Sequence, residues 1–264
     1  MLALVLLLLV IAVMWTAQSL SLLSIGQPLR LRIDHAGMPR KLQQVNRTVT
    51  NLAFAGVLIA YPLLRGLSPW RYYAGFFPLD GRVHGVAHGV AAALIYLGLL
   101  YACWLVTDNI YLRPMGEARR LGARLAAVPL SAVVGAGMEE LLFRAMLLAG
   151  LLEWLHPLPA VAIGTFAFAG AHYVRRVKRY WTFPGHLALG MLLCVSFWCT
   201  GALWLPLGLH AGGILIIMGL RPLVRYVSSP WLVGASIYPY AGALGVIGLS
   251  ILTFNMWLLF GARS

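Results

Sequence analysis

Acidic side chains are scarce in this chain. Seven Asp and Glu stand against twenty Lys and Arg in 264 residues, and charged residues of both signs make up only 10% of the total. Soluble domains carry about 25% charged residues, so the polar material needed to cover a water-facing surface is missing. Cysteine is scarce too. Cys103, Cys194 and Cys199 are an odd three inside apolar stretches, which excludes a disulfide scaffold and reads as small buried hydrophobes. Low-complexity tracts are lacking while Leu, Ile, Val and Phe abound, which excludes disorder. No internal repeat of the inverted-transporter kind is found, which argues against a transporter using intramembrane carboxylates as a proton relay. The net charge of +13 is compatible with nucleic-acid binding in amount but not in pattern. The basic residues form short scattered clusters rather than one stripe with interleaved aromatics, and no nucleic-acid partner is expected.

What the chain has in quantity is apolar surface: 61% hydrophobic residues and a mean hydropathy of +0.84. Apolar runs of roughly the ~20 residues that cross a bilayer recur along the whole length. They lie at Leu2 to Leu23, Val49 to Leu64, Val86 to Val106, Leu121 to Leu152, Leu158 to Tyr173, Leu187 to Thr200, Ala202 to Leu220 and Tyr238 to Phe260. The fold expected is an all-α polytopic transmembrane helical bundle of about eight spans, with the lipid bilayer as its solvent. The first run lacks a basic segment before it and a small-x-small site after it, so it is expected to remain as a helix.

Sorting the basic residues by loop gives that bundle an orientation. The loops after spans one, three, five and seven hold Arg30, Arg32, Arg40, Lys41, Arg47, Arg113, Arg119, Arg120, Arg124, Arg175, Arg176, Lys178, Arg179, Arg221 and Arg225, fifteen in all. The other loops and the C-terminus hold four: Arg65, Arg71, Arg82 and Arg263. The positive-inside rule places the richer loops in the cytoplasm and both termini outside. Trp15, Trp70, Tyr72, Tyr73, Trp154, Tyr173, Tyr180, Trp181 and Trp204 fall near span ends, where rings with a polar edge sit at headgroup level.

The acids then become informative. Asp34, Asp80, Asp108, Glu117 and Glu153 lie in loops or at span ends, but Glu139 and Glu140 sit together inside the fourth span. A charge at the centre of a membrane helix costs roughly 2.5–3.5 kcal/mol on insertion scales. Glu140 has a partner in Arg144 four residues on, in the favourable acid-before-base order. Glu139 needs a polar cavity, a shared proton or partners from other helices. The bland reading is a buried Glu–Arg clip with a second, protonated Glu. Two histidines downstream, His172 at the end of span five and His210 in span seven, change the balance. A carboxylate with two imidazoles is the set general acid–base chemistry uses near neutral pH, and it can equally hold a divalent metal with an open position for water. His84 and His88, spaced i, i+4, have no third ligand nearby and read as a polar helix entry. His156 and His186 read as interfacial, and His35 lies in a basic loop.

Three motifs in order carry a resemblance. Glu139-Glu140-Leu141-Leu142-Phe143-Arg144 fits E-E-x-x-x-R, Phe168-Ala169-Gly170-Ala171-His172 fits F-x-x-x-H, and His210 supplies a third. Together they resemble the CPBP family, which comprises CAAX prenyl endopeptidases of the Ras-converting type and bacteriocin-processing enzymes. The resemblance covers about Leu121 to Leu220. It divides the chain into N-terminal spans and basic loops over 1–120, a catalytic core over 121–220 and a last loop and span over 221–264. The resemblance implies an intramembrane endopeptidase in which Glu139 and His172 activate a water. His210 would stabilise the oxyanion, and Glu140, Arg144 and Phe168 would support the site. The family's third motif usually continues to an asparagine four residues after its histidine, where this chain has Ile214. That departure feeds an alternative, a catalytically silent member serving as a membrane scaffold, chaperone or immunity protein. Asn255 is a substitute donor that no spacing argues for.

No H-E-x-x-H helix is present. The preferred reading requires no cofactor; if a divalent metal such as zinc were used, Glu139, His172 and His210 would hold it. The expected partner is a membrane protein or peptide substrate. Short loops and compact length suit an integral protein of a bacterial inner membrane, a setting that argues against prenylated substrates.

Overall fold

The computed structural model describes residues 2–31, 33–35, 37–113, 118–174, 180–235 and 237–261, with backbone alone at 118–121 and 123–125. Arg32, Glu117, Arg175, Arg176, Lys178, Arg179 and Arg263, sorted above by loop, lie outside the described residues.

The chain is a helical bundle of the class the apolar runs predict. Its main helices are α1 (Leu2–Leu23), α2 (Arg40–Leu64), α4 (Gly85–Val106), α5 (Ala118–Glu140), α7 (Pro157–Ala171), α8 (Phe183–Thr200), α9 (Trp204–Leu220) and α11 (Ala243–Phe260). Helix α5 continues through a π-helical segment, Leu141–Leu148, into α6 (Ala149–Leu152). Two short helices, α3 (Pro69–Ala74) and α10 (Pro230–Val233), sit in connections. Among the described residues six stretches are long and apolar enough to cross a membrane, and two shorter apolar helices, α7 and α9, stand among them. At ~1.5 Å per residue, α7 with its 15 residues is about 22 Å long, short of the ~30 Å apolar slab. This is an integral membrane protein.

The two boundaries that differ most from the sequence reading do so for physical reasons. Helix α2 begins nine residues before Val49, at Arg40. An apolar search stops at Arg40, Lys41 and Arg47, whereas the backbone continues because Asn46 is buried and donates to Ser21 Oγ of α1 at 3.0 Å. The last span begins at Ala243 rather than Tyr238, because Pro239 and Gly242 precede it.

Contacts between loops sort the connections into two groups. At one end, β1 (Ile110–Leu112) pairs antiparallel with β2 (Val224–Tyr226), joining the connections after α4 and α9. Leu31 and Ile33, after α1, share a cavity wall with Val174, after α7. At the other end, Arg65 after α2 meets Glu153 after α6 at 2.8 Å. There too, Leu203 N donates to Phe76 O and Trp204 Nε1 to Pro78 O, each at 2.8 Å. Leu2 packs beside Arg65 and Trp154, so the N-terminus belongs to the less basic end.

Several aromatics read as headgroup anchors are tied to protein backbone instead. Tyr72 donates to Ala145 O at 2.7 Å and Tyr73 to Leu58 O at 2.8 Å, while Trp15 Nε1 donates to Arg30 O at 3.0 Å. Trp70, Trp154 and Tyr180 remain exposed. Of the cysteines, Cys194 is buried but Cys103 is exposed. That corrects the reading of all three as buried: an apolar run in a membrane helix does not separate a lipid-facing position from a core one.

The seam that fixes His210 is between α4 and α9. Gly85 and Gly89 on one helix and Gly208 and Gly212 on the other are two small-x-x-x-small patterns facing each other. A Cβ on Gly208 would stand 2.2 Å from Val86 O, and one on Gly89 2.5 Å from Leu205 O. Backbone meets backbone there, with no flexible side chain to give way. Gly208→Ala is expected to destabilise the protein by about 1–3 kcal/mol or more, read as a lowered unfolding temperature in detergent. An unchanged midpoint would mean that the two helices separate without penalty.

Candidate active site

The two glutamates sit where α5 changes its winding. Over Leu141–Leu148 the hydrogen bonds reach five residues back, as in Ala149 N to Arg144 O. Such π-helical turns are frequent at functional sites. This segment is held from outside by the Tyr72 hydroxyl on the Ala145 carbonyl. Leu142 to Leu148 are all buried, which clamps the turn inside the bundle.

Glu140 and Arg144 form a buried pair, with Arg144 Nη1 3.2 Å from Glu140 Oε1 and side-chain exposures of 0% and 1%. The same Oε1 accepts from His210 Nδ1 at 2.7 Å. The Phe168 ring lies 4.5 Å under the Arg144 guanidinium, a cation–π contact that gains strength where water is excluded. Phe168 also packs edge-on against His172 at 4.9 Å and His210 at 6.1 Å. One carboxylate therefore ties together helix five, its own arginine and the histidine of α9. Glu140 Oε2, Arg144 Nε and Arg144 Nη2 lack hydrogen-bond partners among the described residues, so this network is held by few bonds and its members matter individually.

Glu139 is different. Its side chain is 39% exposed, and it lines a cavity of about 280 Å³ together with His172 and His210. Its Oε2 has no hydrogen bond among the described residues and lies 3.8 Å from His210 Nε2. That separation exceeds a hydrogen bond, so the two groups flank one position without closing on each other. His172 caps α7 and brings Nδ1 to 2.9 Å from the Phe168 carbonyl. A carbonyl only accepts, so Nδ1 carries the proton and Nε2 is left with a lone pair. His210 is fixed by the same logic. With Nδ1–H donated to Glu140, its Nε2 donates only in the imidazolium form, and the charges of Glu139, Glu140, Arg144 and such a His210 sum to zero.

The remaining sequence candidates fall into place or fall away. His84 and His88 are exposed at the start of α4, and His156 caps α7, accepting from Leu158 N at 3.5 Å. Among the described residues no three of His, Cys, Asp and Glu converge as a metal-ligand set. Glu139, His172 and His210 therefore share a cavity without converging as ligands. Ile214 lines the cavity one turn after His210, while Asn255 is exposed on α11 and takes no part in it. His186, read as interfacial, is buried and lines the cavity. The sequence places it near a span end; it does not show that loop 237–240 folds over it, bringing in Tyr238 and Tyr240. That fold depends on Gly234, whose φ of +67° and lack of a Cβ let Tyr238 O and Pro239 O approach closely. No local pattern in the sequence marks His186 for this cavity.

Residues 121–215 match the family described as type II CAAX prenyl endopeptidase Rce1-like. The match spans all three motifs and bears out the resemblance they carry. No curated protein and no solved structure matches the chain.

Proposed function

We propose that this membrane protein, with its Rce1-like CAAX-protease domain at 121–215, is an intramembrane endopeptidase that hydrolyses a peptide bond in or near the bilayer. The observation that carries the reading is the division of labour between adjacent acids. Glu140 is locked onto Arg144 and His210, while Glu139 is left open to the cavity that His172 also lines. In this reading Glu139, assisted by the Nε2 lone pair of His172, takes a proton from a water that attacks the scissile carbonyl. The Nε2–H of a doubly protonated His210 faces the oxygen that becomes negative. Removing one such donor typically costs about 10²–10³ in turnover. The acquired proton then passes to the leaving amine, closing the cycle with no change in the protein.

Ile214 favours a second reading, a member that keeps the fold and lacks turnover. The two are separated by comparing protein termini in membranes from cells producing the native chain and the Glu139→Gln variant at equal levels. Termini present only with the native chain are expected. Identical sets of termini would remove the protease reading and leave the silent scaffold.

A further inference from the structure

His186 belongs to none of the three motifs, yet it is more deeply enclosed than His172. Its Nδ1 donates to the Thr182 carbonyl at 2.9 Å, and the Tyr240 hydroxyl stands 3.4 Å from Nε2. Tyr173, which bonds Thr182 Oγ1 at 2.6 Å, sets its ring edge-on against the imidazole at 5.6 Å. Three elements thus hold a buried ring that makes no salt bridge among the described residues. What it meets is His172, with ring centroids 4.5 Å apart and planes tilted by 41°.

His172 needs such a neighbour. It sits at the last turn of α7, where helical hydrogen bonding ends, and one bond, Nδ1 to Phe168 O, sets its tautomer. Turning the ring about its Cβ–Cγ bond would break that single hydrogen bond, so packing that resists the turn guards both the tautomer and the direction of Nε2. Phe168 packs against the ring at 4.9 Å and His186 at 4.5 Å, and each resists that turn. The geometry points to His186 as a positioning residue that holds the His172 ring with Nε2 turned into the cavity. This inference rests on the assignment of His172 as water activator in the proposed function. Tyr240 and Thr182 act one step further out, by fixing the ring that does the holding.

The test uses full-length protein in detergent micelles and, as the probe, a quenched-fluorescent peptide anchored in the micelle by an apolar helical segment. Misplacing a catalytic group by about 1 Å can cost ~10²-fold, so His186→Ala is expected to lower kcat by about 10- to 100-fold with KM little changed. His186→Phe, which keeps an aromatic ring of similar shape, is expected to recover most of that loss. In a His172→Gln background His186→Ala should produce no further loss, because both act through one ring. An equal loss in both backgrounds, or a change in KM alone, would overturn the assignment. A second arm needs no turnover. With ¹⁵N-labelled histidine, His172 should show a single Nδ1–H tautomer in the native protein and in His186→Phe, and a mixture in His186→Ala. An unchanged spectrum in His186→Ala overturns the proposal by itself. Failure of the native protein to cleave any peptide would instead count against the protease reading and leave the spectroscopic arm to judge His186.

Discussion

Replacing Glu139 with glutamine is expected to lower the rate of peptide cleavage by about 10²–10⁴, the range that a positioned general base contributes. Substrate binding should change little. The substitution is nearly isosteric, and the side chain makes no hydrogen bond through Oε2 that the fold relies on, so the variant should unfold at the native temperature. Loss of turnover with retained stability would distinguish Glu139 from Glu140, whose carboxylate joins Arg144 and His210. His172→Gln should fall in the same range. The double variant should be scarcely slower than either single one, since groups that act as a unit lose their effect together. Single-turnover rates in micelles supply the measurement. A Glu139→Gln protein within about threefold of native would show that the base lies elsewhere.

Arg144→Leu should have the largest effect on stability. It removes the cation from a carboxylate that is 1% exposed, and an uncompensated buried charge costs about 3–5 kcal/mol. His210 would be left as Glu140's remaining donor, and Phe168 would lose the guanidinium stacked 4.5 Å above it. Replacing both members of the pair, Glu140→Leu with Arg144→Leu, removes two desolvated charges at once. Such replacements are often neutral or stabilising. The double variant is therefore expected to unfold near the native temperature while remaining slow, because His210 Nδ1 no longer has the acceptor 2.7 Å away that orients it. Thermal unfolding in detergent beside a cleavage assay separates the two effects. A double variant as unstable as Arg144→Leu would mean that the pair is needed for folding as well as for orientation.

Much of this was legible in the residue order because the membrane leaves few choices. Unpaired backbone groups are intolerable in lipid, so an apolar run of sufficient length must be a helix, and all eight runs are helical. The Glu140–Arg144 pair was legible from its spacing, which survives the change from α to π winding. The ordered motifs carried the resemblance that the family match later bore out. Contacts that depend on tertiary packing were not legible. Nothing in the spacing of Thr182, His186 and Tyr240 announces that they meet. Nor does any local pattern show that His210 is bonded to Glu140, seventy residues earlier. The two-stranded ladder at Ile110–Leu112 and Val224–Tyr226 is missed for the same reason: three-residue strands have no periodicity to read, and their pairing is set by the helices that carry them.

Helices α7 and α9 are shorter than the apolar slab around them, and both bear histidines that line the cavity. A bilayer accommodates a short hydrophobic element by thinning beside it or letting headgroups sink toward its ends, at a cost of fractions of a kcal/mol per Å. In the proposed reaction each cleavage consumes a water molecule, which hydrocarbon does not supply. The dimple over these two helices would bring the aqueous phase toward His172 without opening the bundle. Activity in vesicles is then expected to fall as acyl chains lengthen, while in micelles, which adapt to the protein's own thickness, it should not.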